Sequence, residues 1–155
     1  YLCSCFGAKV SAYDPYIEDS VIPNYVKRFQ DITPLLQQSD IISLHVPFNE
    51  ETHDLLGSKE INLMKDNSFL VNTSRGGIVN EPALMIAVAS KKIIGLAMDV
   101  LDGESPNGVE EQAFAKFAKD YDNILITPHL GGSSYPYMES IFLHSINELN
   151  KMLDH

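Results

Sequence analysis

The chain has 155 residues, of which 45% are hydrophobic, and its formal net charge is -10. This length predicts about one domain, and the sequence contains no apolar run long enough to span a bilayer. The negative charge argues against nucleic-acid binding, which needs Lys and Arg to neutralise phosphates. We therefore expect neither nucleic acid nor membrane as a partner. The two cysteines, Cys3 and Cys5, match neither a zinc pattern nor a disulfide framework, so we expect no metal and a reducing, cytoplasmic location.

The first elements are a helix end and a strand. Residues 2–6 are typical of the last turns of a helix, and Gly7 suits the left-handed position that closes one. Residues 8–13 predict a strand that ends at Asp14, because the residue before Pro15 favours extended geometry. An acid at this point of a dinucleotide-binding fold binds the adenosine ribose, although Asp-Pro is also an ordinary turn.

The next elements are shorter and less distinct. They comprise a loop over residues 16–30 with a short strand near Val26, a helix capped by Thr33, a strand over residues 41–46 buried on both faces, and a helix that starts at Ser58. His45 lies near the end of the strand predicted over residues 41–46. We interpret it as a packed or hydrogen-bonded residue rather than a metal ligand, because no neighbouring residues complete a ligand set.

The segment from Leu70 to Leu84 is the most distinctive part of the sequence. A short apolar run leads into a polar tip and two glycines, and a helix follows with Asn80 as its cap and Pro82 in its first turn. Arg75 therefore lies at the carboxyl end of a strand, where ligands bind in open α/β sheets. Its planar guanidinium suits a carboxylate, and the alternative role is a surface ion pair.

The remaining elements continue the alternation. They are a helix over residues 82–91 with an apolar face of Ala83, Leu84, Ala87 and Val88, a buried strand over 93–100, a loop with acids, a helix over 109–119 and a strand over 123–127. A terminal helix is expected to start at Ser133 or Ser134. Its stripe of Met138, Ile141, Phe142, Leu149 and Met152 is predicted to be core.

Strands joined by helices predict an α/β fold with a doubly wound parallel sheet. Polar groups then collect at four strand ends: Asp14, Thr73 with Arg75, Asp99 with Glu104, and His129. An arginine, an acid and a histidine at neighbouring tips suit the reduction of a carbonyl. The arginine binds a carboxylate, the histidine donates a proton to the carbonyl oxygen, and the acid orients the histidine.

Five motifs in order carry a family resemblance: residues 12–15 (AYDP), 45–47 (HVP), 72–77 (NTSRGG), 97–100 (AMDV) followed by Glu104, and 127–132 (TPHLGG). Together they resemble the NAD-binding domain of the D-isomer-specific 2-hydroxyacid dehydrogenases. The resemblance implies a Rossmann-like domain of an NAD-dependent oxidoreductase that interconverts a 2-keto acid and a D-2-hydroxy acid. It also implies a homodimer when the protein is full length.

The same resemblance implies roles for individual residues. Arg75 would bind the substrate, His129 would be the acid/base and Glu104 its partner. The cofactor would contact Asp14, His45, Val46, Pro47, Thr73, Ser74, Arg75, Asp99, His129 and Gly131, with Asp14 on the adenosine ribose and Asp99 on the nicotinamide carboxamide. Because Asp14 would repel a 2′-phosphate, and the next basic residue is Lys27, NAD is expected over NADP.

Two departures from the family pattern affect the domain prediction. The Gly-x-Gly-x-x-Gly turn is absent, and we expect that the chain begins just after this turn, within the helix that it opens. We therefore expect residues 1–155 to be a partial dinucleotide-binding domain that lacks the first strand, with no substrate domain in this chain. A nucleotide-sensing co-repressor-like protein on the same fold and an inactive remnant are the alternative functions.

Overall fold

The computed structural model describes residues 1–104, 112–131, 138–140, 142–144 and 146. The helices are α1 (Leu2–Cys5), α2 (Ile32–Gln38), α3 (Ser58–Leu63), α4 (Glu81–Ala89) and α5 (Ala113–Ala118). The strands are β1 (Val10–Tyr13), β2 (Val26–Phe29), β3 (Ile41–Leu44), β4 (Ser68–Asn72), β5 (Ile93–Met98) and β6 (Ile124–Ile126), and a 3-10 turn lies at Asp19–Val21. No helix in these ranges is long and apolar enough to cross a membrane.

All the strand pairs are parallel, as the alternating pattern predicts. β1 pairs with β2, and the other four strands form one sheet in the order β3-β4-β5-β6. The predicted α/β class with parallel strands is therefore confirmed. In the part of the chain that the structure describes, β1 and β3 have no strand pairing with each other. Parallel neighbours end at the same edge of a sheet, so the tips of β3, β4, β5 and β6 lie side by side.

The core lies between one face of the four-stranded sheet and the helices that cover it. Leu70 and Ile93 on the strands are fully buried, as is Leu84 on α4, and Phe114 on α5 is nearly so. The predicted face of α4 is confirmed, because Ala83, Leu84, Ala87 and Val88 are all buried. Burial of this stripe holds α4 against the sheet. At its start, Asn80 accepts a hydrogen bond from the Ala83 N–H and is the predicted cap.

Two local expectations are wrong, and a third is confirmed. Asp31, rather than Thr33, caps α2, because its carboxylate accepts the Thr33 N–H and the helix starts two residues earlier. The strand predicted over residues 41–46 is not buried on both faces: Ile41 and Ser43 are exposed, and β3 lies at the edge of its sheet. The helix predicted to start at Ser58 is confirmed, because α3 begins at that residue.

The predictions for the two ends of the chain have different outcomes. Gly7 has a positive φ of 84° after α1, as expected of the residue that closes a helix. In the terminal helix Met138 and Phe142 are 42% and 61% exposed, so these two members of the predicted core stripe are not core. The other members, Ile141, Leu149 and Met152, and the predicted start at Ser133 or Ser134 lie outside the described residues.

Candidate active site

The site is built on the turn that follows β4. The side chain of Asn72, which is fully buried, accepts hydrogen bonds from the Ser74 N–H at 3.1 Å and the Ser74 hydroxyl at 2.8 Å. Its amide donates to the Arg75 carbonyl at 3.0 Å. Asparagine favours such local turns because its side chain mimics a backbone group. One buried residue therefore fixes the backbone of Thr73, Ser74 and Arg75.

Arg75 points away from the core. Arg75 is exposed, and its guanidinium donates a hydrogen bond to the carbonyl of Ser74 at 2.7 Å. No carboxylate among the described residues pairs with it. The guanidinium can therefore present its planar donors to a carboxylate that approaches the strand ends. The alternative of a surface ion pair has no support from the described part of the chain.

Glu104 and His129 form the pair that the motifs predict. Nδ1 of His129 lies 2.7 Å from Oε2 of Glu104, across 25 positions of sequence. The other oxygen of Glu104 accepts the Leu101 N–H at 2.8 Å, so the carboxylate is fixed at both ends. Their side chains are 30% and 48% exposed, respectively, and remain accessible. An ionised carboxylate only accepts hydrogen bonds, so the imidazole donates through Nδ1.

Asp99 organises the turn that carries His129. It is buried, and its carboxylate accepts the hydroxyl of Thr127 and the N–H groups of Leu130 at 2.8 Å and Gly131 at 2.7 Å. Burial alone would raise the pKa of Asp99, but these hydrogen bonds and the nearby His129 outweigh it and lower the pKa. The ionised acid thereby holds His129 in its left-handed conformation, with φ of 53°.

The contacts of Asp99 bear on its implied role at the nicotinamide carboxamide. A carboxylate has about four acceptor positions, and the residues that the structure describes occupy three of them. Among these residues no fourth donor is found, so one position can accept from a further donor such as an amide. Gly131 is required here, because a β-carbon would lie 2.8 Å from the Asp99 carboxylate.

Asp14 lies at the end of β1, half-buried. One carboxylate oxygen accepts the Tyr16 N–H at 2.9 Å, which forms the turn after the strand. Arg28 on β2 donates to the main-chain carbonyl of Asp14 at 2.9 Å and pairs with Asp19. Sequence reasoning did not anticipate this basic neighbour, because it is brought close only by the parallel pairing of β1 with β2. Its charge is offset by Asp19.

The segment after β3 presents a third set of predicted residues. The ring of His45 is exposed, and its Nε2 lies 2.9 Å from the Ser43 hydroxyl, in agreement with a hydrogen-bonded strand-end residue. Val46 is half-buried against the core, and the Pro47 carbonyl accepts the Thr52 hydroxyl at 2.6 Å. These three residues therefore form a fixed rim at the same edge of the sheet as Thr73.

Two organising residues escaped the sequence reasoning. Asn72 and Thr127 lie within the quoted motifs, but their hydrogen bonds to the Arg75 turn and to Asp99 were not predicted. A polar residue at the end of a buried strand was the available signal for each. Among the described residues no group of three His, Cys, Asp or Glu side chains could hold a metal ion.

Comparison with known sequences identifies a family whose model matches most of the chain. The model described as "D-isomer specific 2-hydroxyacid dehydrogenase, NAD binding domain" matches residues 1–131. The chain is 40% identical over 153 residues to a D-3-phosphoglycerate dehydrogenase of Escherichia coli K12, covering 99% of this chain and 36% of the relative. It is 33% identical over 148 residues to a hydroxypyruvate reductase of Thermotoga maritima, covering 96% and 46%. The chain thus spans less than half the length of these relatives.

Solved structures show the same architecture. A D-isomer specific 2-hydroxyacid dehydrogenase of Lactobacillus delbrueckii ssp. bulgaricus, in its NAD-complexed form, is similar with a TM-score of 0.86 and 26% identity, covering 99% of this chain and 48% of that one. A D-lactate dehydrogenase of Aquifex aeolicus complexed with NAD and lactic acid has a TM-score of 0.80 and 28% identity, covering 97% and 48%. The resemblance drawn from the motifs is confirmed, and with it NAD as the cofactor.

Proposed function

We propose a function that proceeds from one premise: the chain belongs to the D-isomer specific 2-hydroxyacid dehydrogenase family, as its NAD-binding domain. In the full-length protein it would take part in the interconversion of a 2-keto acid and a D-2-hydroxy acid. The observation that carries this proposal is the 2.7 Å hydrogen bond between His129 and Glu104. These two residues follow β6 and β5, and β5 lies next to β4, which leads into Arg75. Arg75 would then serve as the carboxylate receptor and His129 as the acid/base at one edge of the sheet.

Arg75 would bind and orient the substrate. Its exposed guanidinium offers parallel N–H donors to the carboxylate of a 2-keto acid. The turn held by Asn72 fixes the Arg75 backbone, which limits the positions that a bound substrate can take. The neighbouring keto group would then face the turn that carries His129.

His129 would exchange the proton. Because Nδ1 donates to Glu104, Nε2 is the nitrogen that gives its proton to the keto oxygen during reduction and takes it back during oxidation. Glu104 keeps the ring in this tautomer and stabilises the charged imidazolium. Bound NADH supplies the hydride that reduces the keto carbon.

The strand-end edge fits a dinucleotide. One Asp14 carboxylate oxygen has no hydrogen bond to any described residue, so it can accept from the ribose hydroxyls of NAD. His45, Val46 and Pro47 would line the path of the cofactor between the ribose and the nicotinamide. Thr73, Ser74, Asp99 and Gly131 would lie along the nicotinamide half, with Asp99 accepting from the carboxamide through its remaining position.

The domain assignment is also a proposal: residues 1–155 act as a partial dinucleotide-binding domain of a longer protein. The separation of β1 from β3 supports it, because a further strand between them would join the two sheets into one. The substrate domain would come from the remainder of the protein. The segment alone should melt at low temperature without a response to NADH, whereas the full-length protein should show a transition that NADH shifts upward.

Two properties of the whole protein follow the family expectation. We place the protein in the cytoplasm, which suits the two exposed free cysteines Cys3 and Cys5.

We also expect the full-length protein to be a homodimer. Light scattering coupled to size-exclusion chromatography would measure its mass, and a monomer at micromolar concentration would contradict this expectation.

The experiment is NADH oxidation by the full-length protein with pyruvate, hydroxypyruvate and glyoxylate, together with NAD reduction on 3-phosphoglycerate. The last substrate is included because a relative of that activity is 40% identical to the chain. Turnover of at least one of these acids is the expected result. NADH binding without any turnover would instead favour the nucleotide-sensing alternative, and neither binding nor turnover would indicate an inactive remnant.

A further inference from the structure

The loop over residues 101–104 carries Glu104, and its shape depends on a contact outside the loop. Within the loop, the Leu101 N–H donates to the Glu104 carboxylate, and Gly103 adopts a positive φ of 63°. These features bend the loop back on itself. They do not attach it to the rest of the protein.

One attachment of the middle of the loop comes from α4, beside the hydrogen bond that the Gln112 side chain donates to the Asp102 carbonyl at 3.1 Å. The Asp102 N–H donates to the Glu81 carboxylate at 2.7 Å, across 21 positions of sequence. Glu81 is the first residue of α4, a helix held in place by the Asn80 cap and its buried apolar face. The hydrogen bond therefore ties the middle of the loop to a rigid element.

The surroundings of Glu81 are not those of an ordinary acid at a helix start. Such acids usually stay in solvent, where they interact with the helix dipole. Here burial raises the pKa of Glu81, the Asp102 N–H acts against that shift, and the charge of Asp102 adds to it. Glu81 thus lies where burial disfavours its ionised form, and its carboxylate accepts the hydrogen bond of a backbone N–H of the loop.

We propose that Glu81 is a positioning residue for the pair of His129 and Glu104, acting through the Asp102 N–H. The inference rests on the proposed function for its catalytic consequence. Without Glu81, the loop would lose its tie to α4, and the Glu104 carboxylate would no longer hold a fixed place against the imidazole. Misplacement by about 1 Å can lower a rate by about 100-fold.

Three variants of the full-length protein test this. Glu81→Ala removes the acceptor, Glu81→Gln keeps an amide oxygen for the Asp102 N–H, and Asp31→Ala weakens the cap of a different helix, α2, without touching the loop. The measurements are kcat, KM for the keto acid, NADH affinity, the melting temperature and the hydrogen exchange of the Asp102 amide. The wild type is assayed first.

Glu81→Ala should lower kcat by about 10- to 100-fold, with NADH affinity changed less than about twofold, and should speed exchange of the Asp102 amide. Glu81→Gln should restore most of kcat and slow the exchange again. Asp31→Ala should lower the melting temperature while it leaves kcat near that of the wild type. This split separates positioning from general destabilisation.

Other outcomes overturn the inference. An unchanged kcat in Glu81→Ala, a failure of Glu81→Gln to recover activity, or an equal loss of kcat in Asp31→Ala would each contradict it while leaving the proposed function intact. A wild type without turnover would instead contradict the proposed function. In that case Asp102 exchange still decides whether Glu81 holds the loop, and unchanged exchange in Glu81→Ala would reject that contact.

Discussion

Gly76 lies directly against the main chain of Leu101: a β-carbon at position 76 would be 2.0 Å from the Leu101 carbonyl oxygen. Gly76 follows Arg75, and Leu101 begins the loop that carries Glu104. The contact therefore links the segment that presents Arg75 to the segment that presents Glu104. The φ of Gly76 is not positive, so the requirement for glycine here is steric.

Gly76→Ala should disrupt this link. Because the obstacle is backbone rather than a flexible side chain, the loop must move, at a cost of about 1–3 kcal/mol of stability. We expect a lower melting temperature and a large loss of kcat in the full-length protein. Gly7→Ala is the matched control: it strains a positive φ but meets no atom within 4 Å, so it should lower stability only. Normal kcat in Gly76→Ala would contradict the close contact.

Arg75→Lys should separate substrate binding from cofactor binding. Lysine keeps the charge but loses the planar pair of donors, so KM for the keto acid should rise by about tenfold or more. The dissociation constant of NADH should stay within about twofold, because the backbone of the turn is held by Asn72. Steady-state kinetics and fluorescence titration with NADH measure the two effects. Equal losses in both affinities would indicate a structural arginine instead.

Asp14 should give the enzyme a preference for NADH over NADPH. Its carboxylate would repel the 2′-phosphate, and Arg28 beside it is already paired with Asp19. Asp14→Ala should lower the ratio of kcat/KM with NADH to kcat/KM with NADPH. The control is Asp40→Ala, which removes an equal charge from an exposed ion pair with Lys65. Comparable kcat/KM with NADPH in the wild type would reject this role for Asp14.

Asp99→Asn should lower stability in a pH-dependent way. The pKa of Asp99 is lowered in the folded protein, so its contribution is complete above its ordinary pKa of about 4 and is lost as the pH falls through the lower folded value. An amide cannot accept from all three donors, so at pH 7 we expect a loss of about 1–3 kcal/mol. Urea unfolding at several pH values should show the difference shrinking in acid. A difference that grows in acid would contradict the assignment.

The segment around Asn80 shows what sequence could predict. The cap, the proline in the first turn and the apolar face of α4 are local signals, and each depends only on neighbours within a few residues. The order of motifs also placed Arg75, Glu104 and His129 at strand ends. The hydrogen bond between Glu104 and His129 agrees with that placement.

The missed features depend on distant parts of the chain. β2 was predicted only as a short strand near Val26, because its partner β1 lies 16 positions earlier in the register. The tie between Glu81 and Asp102 joins a helix start to a later loop, and no local pattern marks it. Asp31 rather than Thr33 caps α2, and the sequence alone did not separate the two positions, because both residue types are good helix caps.

The most direct test of the account follows the hydride and the proton together. The full-length protein is incubated with NADH that carries deuterium at both C4 positions of the nicotinamide and with a keto acid that it reduces to a product with a stereocentre at C2. The product is analysed for label and chirality. We predict deuterium at C2 of a D-2-hydroxy acid, and a rate about 100- to 10,000-fold lower in His129→Ala with NADH binding retained. An L-product, a product without the label, or an undiminished rate in His129→Ala would contradict the central claim.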